Sequence, residues 1–395
     1  MQPRLRFKTL SSESKIFETN IGDVATIRSG SSPSNFILRD SGLFPFLKVE
    51  ELNNCQKYQQ VSRNYTDKNK GSVPKNSIIF PKRGAAIMTN KVRITSQESL
   101  LDSNLMALIP ITEKVNYEYL YQFLVKEELH RIADTSSIPQ INNKHIEPLK
   151  ITLPSLIEQG KIASFLSAVD EKISQLTKKH ELLTQYKKGV MQKIFSQELR
   201  FKANDGAGYP DWEEVILDNI LDKNSLKNKG RKHKLVQSVS NKYGFINQDE
   251  LFEDRRIASK DTSNYYVIGK NCFAYNPSRI DVGSLAYKSD ELISVISPLY
   301  ISFYAKREII NDYFLLNWFS SEEFTSQMNS SFEGSVRNTL SYESLTKISI
   351  TYPCLTEQTK IASFLSAIDD KIQNTQAQLE STKQYKQGLL QQMFV

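Results

Sequence analysis

The sequence has few of the residues that bind metals or form disulfides. It contains four His and three Cys among 395 residues. Cys55, Cys272 and Cys354 are odd in number and share no short spacing, which argues against a disulfide framework and against a zinc site. This sparse cysteine usage fits a reducing compartment, so we expect a cytoplasmic protein.

Long apolar segments are also missing. The sequence has no run of 18 apolar residues, so we expect no transmembrane helix. The first 20 residues have no apolar core and do not resemble a secretory signal. We therefore expect no membrane association.

The common catalytic motifs are missing as well. The sequence has no GxxxxGK[ST] phosphate loop, no GxGxxG after a predicted strand and no HExxH metal motif. Asn276-Pro277 is followed by Ser-Arg and not by the Pro-aromatic pair of an amino-methyltransferase. We therefore expect a chain without catalysis, metal or cofactor of its own.

What the sequence does contain is a long internal repeat. Residues 154–195 and 353–394 align without a gap and are identical at 22 of 42 positions. The tetrapeptide Leu-Arg-Phe-Lys at residues 5–8 recurs directly after the first copy, at residues 199–202. The repeat is therefore cyclic, and we expect the N-terminal segment, residues 1–18, to pack near the C-terminal helix.

Each copy of the repeat predicts one long helix. Ser155 and Glu158 form a capping box, and no Pro interrupts the following forty residues. Positions at alternating steps of four and three are mostly apolar, which is typical of a coiled-coil seam. The predicted seams are Ile162, Leu166, Val169, Ile173, Leu176, His180, Leu183, Lys187, Val190 and Ile194, and Ile361, Leu365, Ile368, Ile372, Thr375, Leu379, Thr382, Lys386, Leu389 and Met393.

Lys187 and Lys386 occupy the same seam position, where a polar residue fixes register and partner direction. We expect the two helices to pack antiparallel, because repeated units favour a closed two-fold arrangement. The alternative is two separate amphipathic helices, each docked on its own domain.

The remaining sequence predicts two mixed α/β domains, so the fold class is α+β. We place the domains at residues 1–153 and 203–352 and the long helices at residues 154–202 and 353–395. Short strands bounded by Pro, Gly and Asn recur in both domains, and each domain has one late helix. The predictions tested below include strands at Ala86–Met88 and Val236–Val239 and late helices at Tyr117–Ile132 and Asn311–Met328.

The charge balance favours a polyanionic partner. The formal net charge is +7 and the isoelectric point is about 9.0. Residues 224–234 form a basic run suited to DNA phosphates, with a solvated surface loop as the alternative. Its candidate phosphate contacts are Lys227, Lys229, Arg231, Lys232 and Lys234.

Strand-end loops in both domains carry residues that can read bases, since Arg bonds guanine edges and Asn or Gln bonds adenine. The loops before the last strands carry similar residues, and a turn held by Asn and Pro is the alternative for the strand-end loops. The candidates are Lys82, Arg83, Asn90, Lys91, Gln140 and Asn142 in the first domain, and Tyr275, Asn276, Arg279 and Arg337 in the second.

Two blocks, Glu158–Ile173 and Glu357–Ile372, share the pattern E-Q-x-K-I-A-S-F-L-S-A-x-D-x-K-I. They resemble conserved regions of the specificity subunits of type I restriction-modification systems. Asn276–Ile280 also resembles a segment of that family's target-recognition domains. The order of globule, helix, globule and helix matches the family as well.

The resemblance implies a non-catalytic subunit whose two target-recognition domains each read half of a bipartite double-stranded DNA site. Antiparallel helices would set the spacer and dock two methyltransferase subunits, at helix starts that include Glu158, Gln159, Glu357 and Gln358. S-adenosylmethionine would lie on those subunits, which would methylate adenine. ATP and magnesium would lie on two motor-nuclease subunits. A scaffold that binds only proteins and a stand-alone nuclease are the competing hypotheses.

Overall fold

The structure of the protein is a computed structural model that describes residues 4–7, 16–134, 138–241, 243–248, 261–332 and 338–394. Its contacts divide the chain into two compact units. The first unit comprises residues 1–178 and 376–395, and the second comprises residues 179–375. Each unit therefore contains one globular part and a portion of both repeat copies.

The described helices and strands of the first unit are β1 (Phe17–Asn20), α1 (Ile21–Val24), β2 (Ala25–Ser29), β3 (Phe44–Leu47), β4 (Tyr58–Gln59), β5 (Tyr65–Thr66), β6 (Ile78–Pro81), β7 (Arg93–Thr95), β8 (Leu100–Leu101), β9 (Leu105–Pro110), α2 (Tyr117–Glu127), α3 (Asn143–Ile146) and β10 (Lys150–Leu153). They form a mixed five-stranded sheet in the order β2-β9-β6-β7-β4 and a three-stranded sheet in the order β5-β3-β8. Strand β1 pairs antiparallel with β10, which leads into the first long helix.

The described helices and strands of the second unit are β11 (Glu213–Ile216), β12 (Leu221–Lys223), β13 (Gln237–Ser240), β14 (Gly244–Asn247), β15 (Tyr266–Ile268), β16 (Cys272–Tyr275), β17 (Leu285–Tyr287), β18 (Ser294–Ile296), β19 (Ile301–Ala305), α5 (Asp312–Trp318), α6 (Glu322–Ser330), α7 (Tyr342–Thr346) and β20 (Ser349–Tyr352). Four of the strands form an antiparallel sheet in the order β12-β19-β16-β17. Strand β11 pairs with β20, as β1 does with β10 in the first unit.

The repeat copies form the long helices α4 (Leu156–Phe195) and α8 (Leu355–Met393). In the first unit, the start of α4 packs against the end of α8 in one buried core. In the second unit, the end of α4 packs against the start of α8. The helices therefore run antiparallel within each unit, as expected, and every predicted seam residue is buried or half-buried.

Three sequence predictions of local structure are wrong in detail. Ala86–Met88 is not a strand but part of a 3-10 helix, Ala85–Thr89, which lies between two residues of positive φ, Gly84 and Asn90. The predicted helix from residue 117 to 132 breaks at Glu128, whose φ is 52°, and continues as a 3-10 turn. Positive φ ends a regular helix because it reverses the backbone twist.

The predicted late helix of the second unit is divided into α5 and α6. The division occurs at Ser321, whose hydroxyl accepts a hydrogen bond from the amide of Phe324 at 3.1 Å and so starts a new helix. Of the capping box predicted for helix α4, the first bond is present, because the Ser155 hydroxyl accepts from the amide of Glu158 at 3.3 Å, and the Glu158 carboxylate accepts from Arg6.

Candidate nucleic-acid interface

In the first unit, the structure brings two predicted DNA-binding loops together. The loop after β6 pairs with the loop before α3 through a β-bridge between Arg83 and Gln140. The amide of Ile141 donates to the carbonyl of Lys82, and the amide of Gly84 donates to the carbonyl of Pro139, both at 2.8 Å. The Arg83 side chain is therefore exposed to solvent, while the backbone of its loop is hydrogen-bonded to the loop before α3.

The other predicted DNA-binding residues of this unit differ in how accessible their side chains are to a ligand. Lys82 is half-buried, and burial first, then the neighbouring Arg83 charge, lowers its pKa. The Asn90 amide donates to the carbonyl of Val125 at 2.9 Å and accepts from the amide of Leu129 at 3.1 Å. This placement favours a structural role for Asn90.

Two further polar candidates also have partners within the first unit. Lys91 donates to the side chain of Asn53. Asn142 caps α3 and accepts a bond from the Gln140 amide at 3.2 Å. Of the predicted contacts in this unit, Arg83 is the most accessible to a ligand.

The second unit repeats the pairing of these loops with different residues. The amide of Leu340, in the loop before α7, donates to the carbonyl of Pro277 at 3.1 Å. Arg279 is exposed beside this pairing, and Asn276 accepts a bond from the amide of Ser278 at 3.1 Å. Arg279 therefore occupies a position comparable to that of Arg83.

Tyr275 is placed differently from the sequence prediction. Its side chain is fully buried, and its hydroxyl donates to the carbonyl of Leu340 at 3.1 Å. Its ring packs against Phe303 in the core. Tyr275 therefore stabilises the paired loops from the core, and its side chain is not accessible to a base. Arg337 lies outside the described residues, and its contact with DNA stays a prediction.

The basic run forms an irregular, mostly exposed loop. Lys229, Lys232 and Lys234 are exposed to solvent. The Lys227 ammonium group lies 3.2 Å from the centroid of the Tyr266 ring and donates to the carbonyl of Asn264 at 2.9 Å. The ammonium groups of the three exposed lysines are therefore more accessible to phosphates than that of Lys227.

Arg231 is partly neutralised by a carboxylate from the segment that precedes β15. It forms an ion pair of 3.1 Å with Asp261. Hydrogen bonds from the Ser263 backbone and side chain, followed by the Arg231 bond, lower the pKa of Asp261 to about 2. The carboxylate is therefore ionised at neutral pH, and a phosphate would compete with it for Arg231.

The four residues predicted to dock subunits at the helix starts are buried. Glu158, Gln159, Glu357 and Gln358 are at most 1% exposed. Gln159 accepts a bond from the amide of Asn116 at 2.8 Å and donates to the carbonyl of Pro154 at 2.9 Å. In the described structure these side chains hold the helix start against its own unit, so subunit docking at this region stays a prediction.

Gln358 repeats the contacts of Gln159 in the second unit. It accepts from the amide of Asn311 at 2.7 Å and donates to the carbonyl of Pro353 at 2.8 Å. Asn116 and Asn311 are also the N-caps of α2 and α5. The repeated Gln therefore links the strand end, the long helix and the late helix at one point in each unit.

The neighbouring glutamates, which are buried, form ion pairs with the partly exposed arginines of the repeated Leu-Arg-Phe-Lys segments. Arg6 lies 2.6 Å from the Glu158 carboxylate, and Arg200 lies 2.7 Å from that of Glu357. The amide of Leu5 also donates to the carbonyl of Gln392 at 3.1 Å. The sequence already held the signal for these pairs, since the arginine recurs within the repeated tetrapeptide and the glutamate recurs at the start of the repeated helix.

The seam lysines are paired across the two helices. Lys386 lies 2.6 Å from Asp170 in the first unit, and Lys187 lies 2.7 Å from Asp369 in the second. All four side chains are partly buried, so a shifted register would leave partly desolvated charges unpaired. These pairs give the predicted register function of the lysines a physical basis.

Sequence reasoning missed several strands of the second unit, namely β11, β12, β14 and β18. It predicted a strand at Val236–Val239 but not the return strand β14, with which β13 forms a hairpin. The available signal was Tyr243-Gly244 followed by the apolar Phe245 and Ile246.

Among the described residues, no cluster of three or more His, Cys, Asp or Glu could hold a metal ion. No helix in the described part of the chain is long and apolar enough to cross a membrane.

The fold and the paired loops define a protein with two modules, whose loops differ and whose long helices, α4 and α8, are copies of one repeat. We call these two helices the helical frame. Comparison with known families agrees with this class. The sequence model of the type I restriction modification DNA specificity domain matches residues 13–185 and 209–384. The chain belongs to this family.

Individual relatives match over most of the chain. The type I restriction enzyme MjaVIII specificity subunit of Methanocaldococcus jannaschii is 25% identical, with 94% of this chain and 90% of the relative covered. The putative type I restriction enzyme MjaX specificity subunit of the same organism is 27% identical, covering 73% of this chain and 69% of the relative.

A solved structure shares the fold. The crystal structure of the type I restriction-modification S subunit from M. genitalium has a TM-score of 0.64 and 16% identity, covering 100% of this chain and 99% of that one. The α+β fold with two long helices, predicted from the sequence, is confirmed.

Proposed function

We propose that this chain is the specificity subunit of a type I restriction-modification complex and that each unit reads one half of a bipartite DNA site. One observation carries the proposal. Both units pair a strand-end loop bearing an exposed Arg, Arg83 or Arg279, with the loop before the last strand. The long helices of the two units come from one repeated sequence, identical at 22 of 42 positions, while these loops differ, as two readers of different sequences require.

The chemistry of the loops suits duplex DNA. An exposed Arg can bond the O6 and N7 atoms of guanine in the major groove. The pairing of each loop with its neighbour limits the freedom of the Arg backbone, so less entropy is lost on binding. The exposed lysines of the basic loop supply sequence-independent contacts to phosphates.

We assign the chemistry of the complex to partner subunits. Two methyltransferase subunits would bind S-adenosylmethionine and methylate adenine, and two motor-nuclease subunits would use ATP and magnesium to cut DNA. This chain would have no catalysis or cofactor of its own and would act in the cytoplasm. Its long helices would set the spacer between the half-sites and contribute to the docking of the methyltransferase subunits.

The decisive experiment is to co-express the chain with its methyltransferase subunit and to map methylated adenines by single-molecule sequencing. We expect one bipartite motif with a fixed spacer. DNA binding by the purified complex should fall steeply with salt, because phosphate contacts release counterions. A scaffold that binds only proteins would give neither result, and a stand-alone nuclease would instead cut DNA as an isolated chain with added magnesium.

A further inference from the structure

The hairpin β13–β14 lies beside the Arg279 loop of the second unit. The side chain of Asn241, in the hairpin turn, donates to the carbonyl of Val282 at 3.4 Å. The amide of Val282 in turn donates to the carbonyl of Arg279 at 3.3 Å. Asn241 and Arg279 are exposed, and Tyr243 and Val282 are 63% and 54% exposed. The hairpin turn and the adjoining Arg279 loop therefore expose an amide, a phenol, an aliphatic group and a guanidinium group, and we call these four residues the hairpin-tip surface.

The base of the hairpin is fixed by a buried polar network. The ammonium group of Lys288, whose side chain has 0% exposure, donates to the side-chain oxygen of Gln237 at 3.0 Å and to the Asp290 carboxylate at 2.9 Å. Gln237 also accepts from the hydroxyl of Ser294 at 2.7 Å and donates to Asn247 at 3.1 Å. Each partner restricts the first strand of the hairpin, so the tip projects from a rigid base.

We propose that the hairpin-tip surface, formed by Asn241, Tyr243, Arg279 and Val282, is the base-reading surface of the second unit, with the hairpin entering the DNA major groove. A two-stranded β-ribbon fits that groove, and amide, guanidinium and aliphatic groups match the edges of adenine, guanine and the thymine methyl group. This inference rests on the proposed function, and it assigns one half-site to a specific element of the chain.

The test uses the full chain assembled with its methyltransferase subunits. Asn241→Ala and Tyr243→Ala, singly and together, are assayed for methylation of DNA duplexes in which each half-site is randomised in turn. We expect about a tenfold or greater loss of discrimination at one or two positions of one half-site. Recognition of the other half-site should be unchanged, which also shows that the variant complex is folded and active.

Two control variants separate base reading from other effects. Asn219→Ala changes an exposed Asn of the same unit on the turn before β12, and it should leave the motif unchanged. Lys232→Ala in the basic loop should weaken binding to all DNA sequences without a change of motif. The slope of log affinity against log salt concentration should become shallower by about one, as expected for the loss of one phosphate contact.

The inference is overturned if both Ala variants, alone and together, keep the wild-type motif and discrimination while the wild-type complex is sequence-specific. In that case the proposed function survives and only the hairpin assignment fails. If the wild-type complex methylates no preferred sequence, the proposed function itself fails. Should the double variant misfold, the two single variants decide the question.

Discussion

The partly buried ion pair between Arg6 and Glu158 in the first unit allows a sharp test, because the equivalent pair of Arg200 and Glu357 occurs in the second unit. Arg6→Ala removes the guanidinium group from a Glu158 carboxylate that has 0% exposure. The segment that carries Arg6 would keep its backbone bond from Leu5 to Gln392. The substitution therefore removes the guanidinium group that lies 2.6 Å from this buried carboxylate.

The expected cost is about 3 kcal/mol, at the lower end of the range for losing one partner of a buried ion pair. We choose the lower end because Arg6 is itself 15% exposed, so water can reach the vacated space. The double variant Arg6→Ala with Glu158→Gln should recover part of this loss, because a neutral amide costs less to bury than a carboxylate.

The two units can be followed separately in one chain. Both tryptophans, Trp212 and Trp318, lie in the second unit. Urea unfolding of the Arg6→Ala variant should therefore leave the tryptophan fluorescence transition nearly unchanged, while hydrogen exchange shows weaker protection in the first unit. Arg200→Ala, which breaks the matching pair with Glu357, should give the opposite result.

Two outcomes would refute this reasoning. One is an Arg6→Ala variant whose first unit keeps its hydrogen-exchange protection within about 0.5 kcal/mol, the range usual for a surface substitution. The other is an equal loss in both units from either substitution. Either result would mean that the buried carboxylate does not depend on its arginine in the way the distances indicate.

Three further predictions concern the frame and the loops. Lys187→Glu should destabilise the second unit by about 1 kcal/mol in fluorescence-monitored unfolding, and adding Asp369→Lys should restore most of it; no recovery would exclude this pairing. Insertion of one heptad after both Thr177 and Gln376 should keep the seam positions in phase and lengthen the spacer of the methylated motif by about three base pairs, because seven helical residues span about 10 Å. An unchanged spacer would exclude the helices as its determinant. Arg83→Ala should relax one position of one half-site at a cost of about 1–3 kcal/mol, and unchanged discrimination would remove Arg83 from the interface.

The sequence predicted the helical frame well because the frame depends on local periodicity. The seam positions recur at the spacing of a coiled coil, and their burial follows directly from that spacing. The late helices were predicted less accurately. Glu128 and Ser321 end or restart a helix through a positive φ and a side-chain cap, and neither effect shows in the apolar pattern.

The loops were only partly predictable. Their composition identified Arg83 and Arg279, which are exposed, but the same reasoning selected Tyr275, which is buried. Strand-end residues alternate between two faces, and the sequence alone does not say which face another element covers. The repeated Glu and Gln at the helix starts gave a similar ambiguity, since a recurring polar residue can serve a partner or its own fold.

The sequence by itself determined that two like helices carry two unlike modules, because a long ungapped repeat and a heptad pattern are properties of residue order alone. Only the tertiary structure decided which polar side chains remain accessible. It placed the repeated glutamates against Arg6 and Arg200, and it set a hairpin beside the Arg279 loop. The physical reason is that burial and long-range pairing depend on residues distant in sequence, whereas helical periodicity is local.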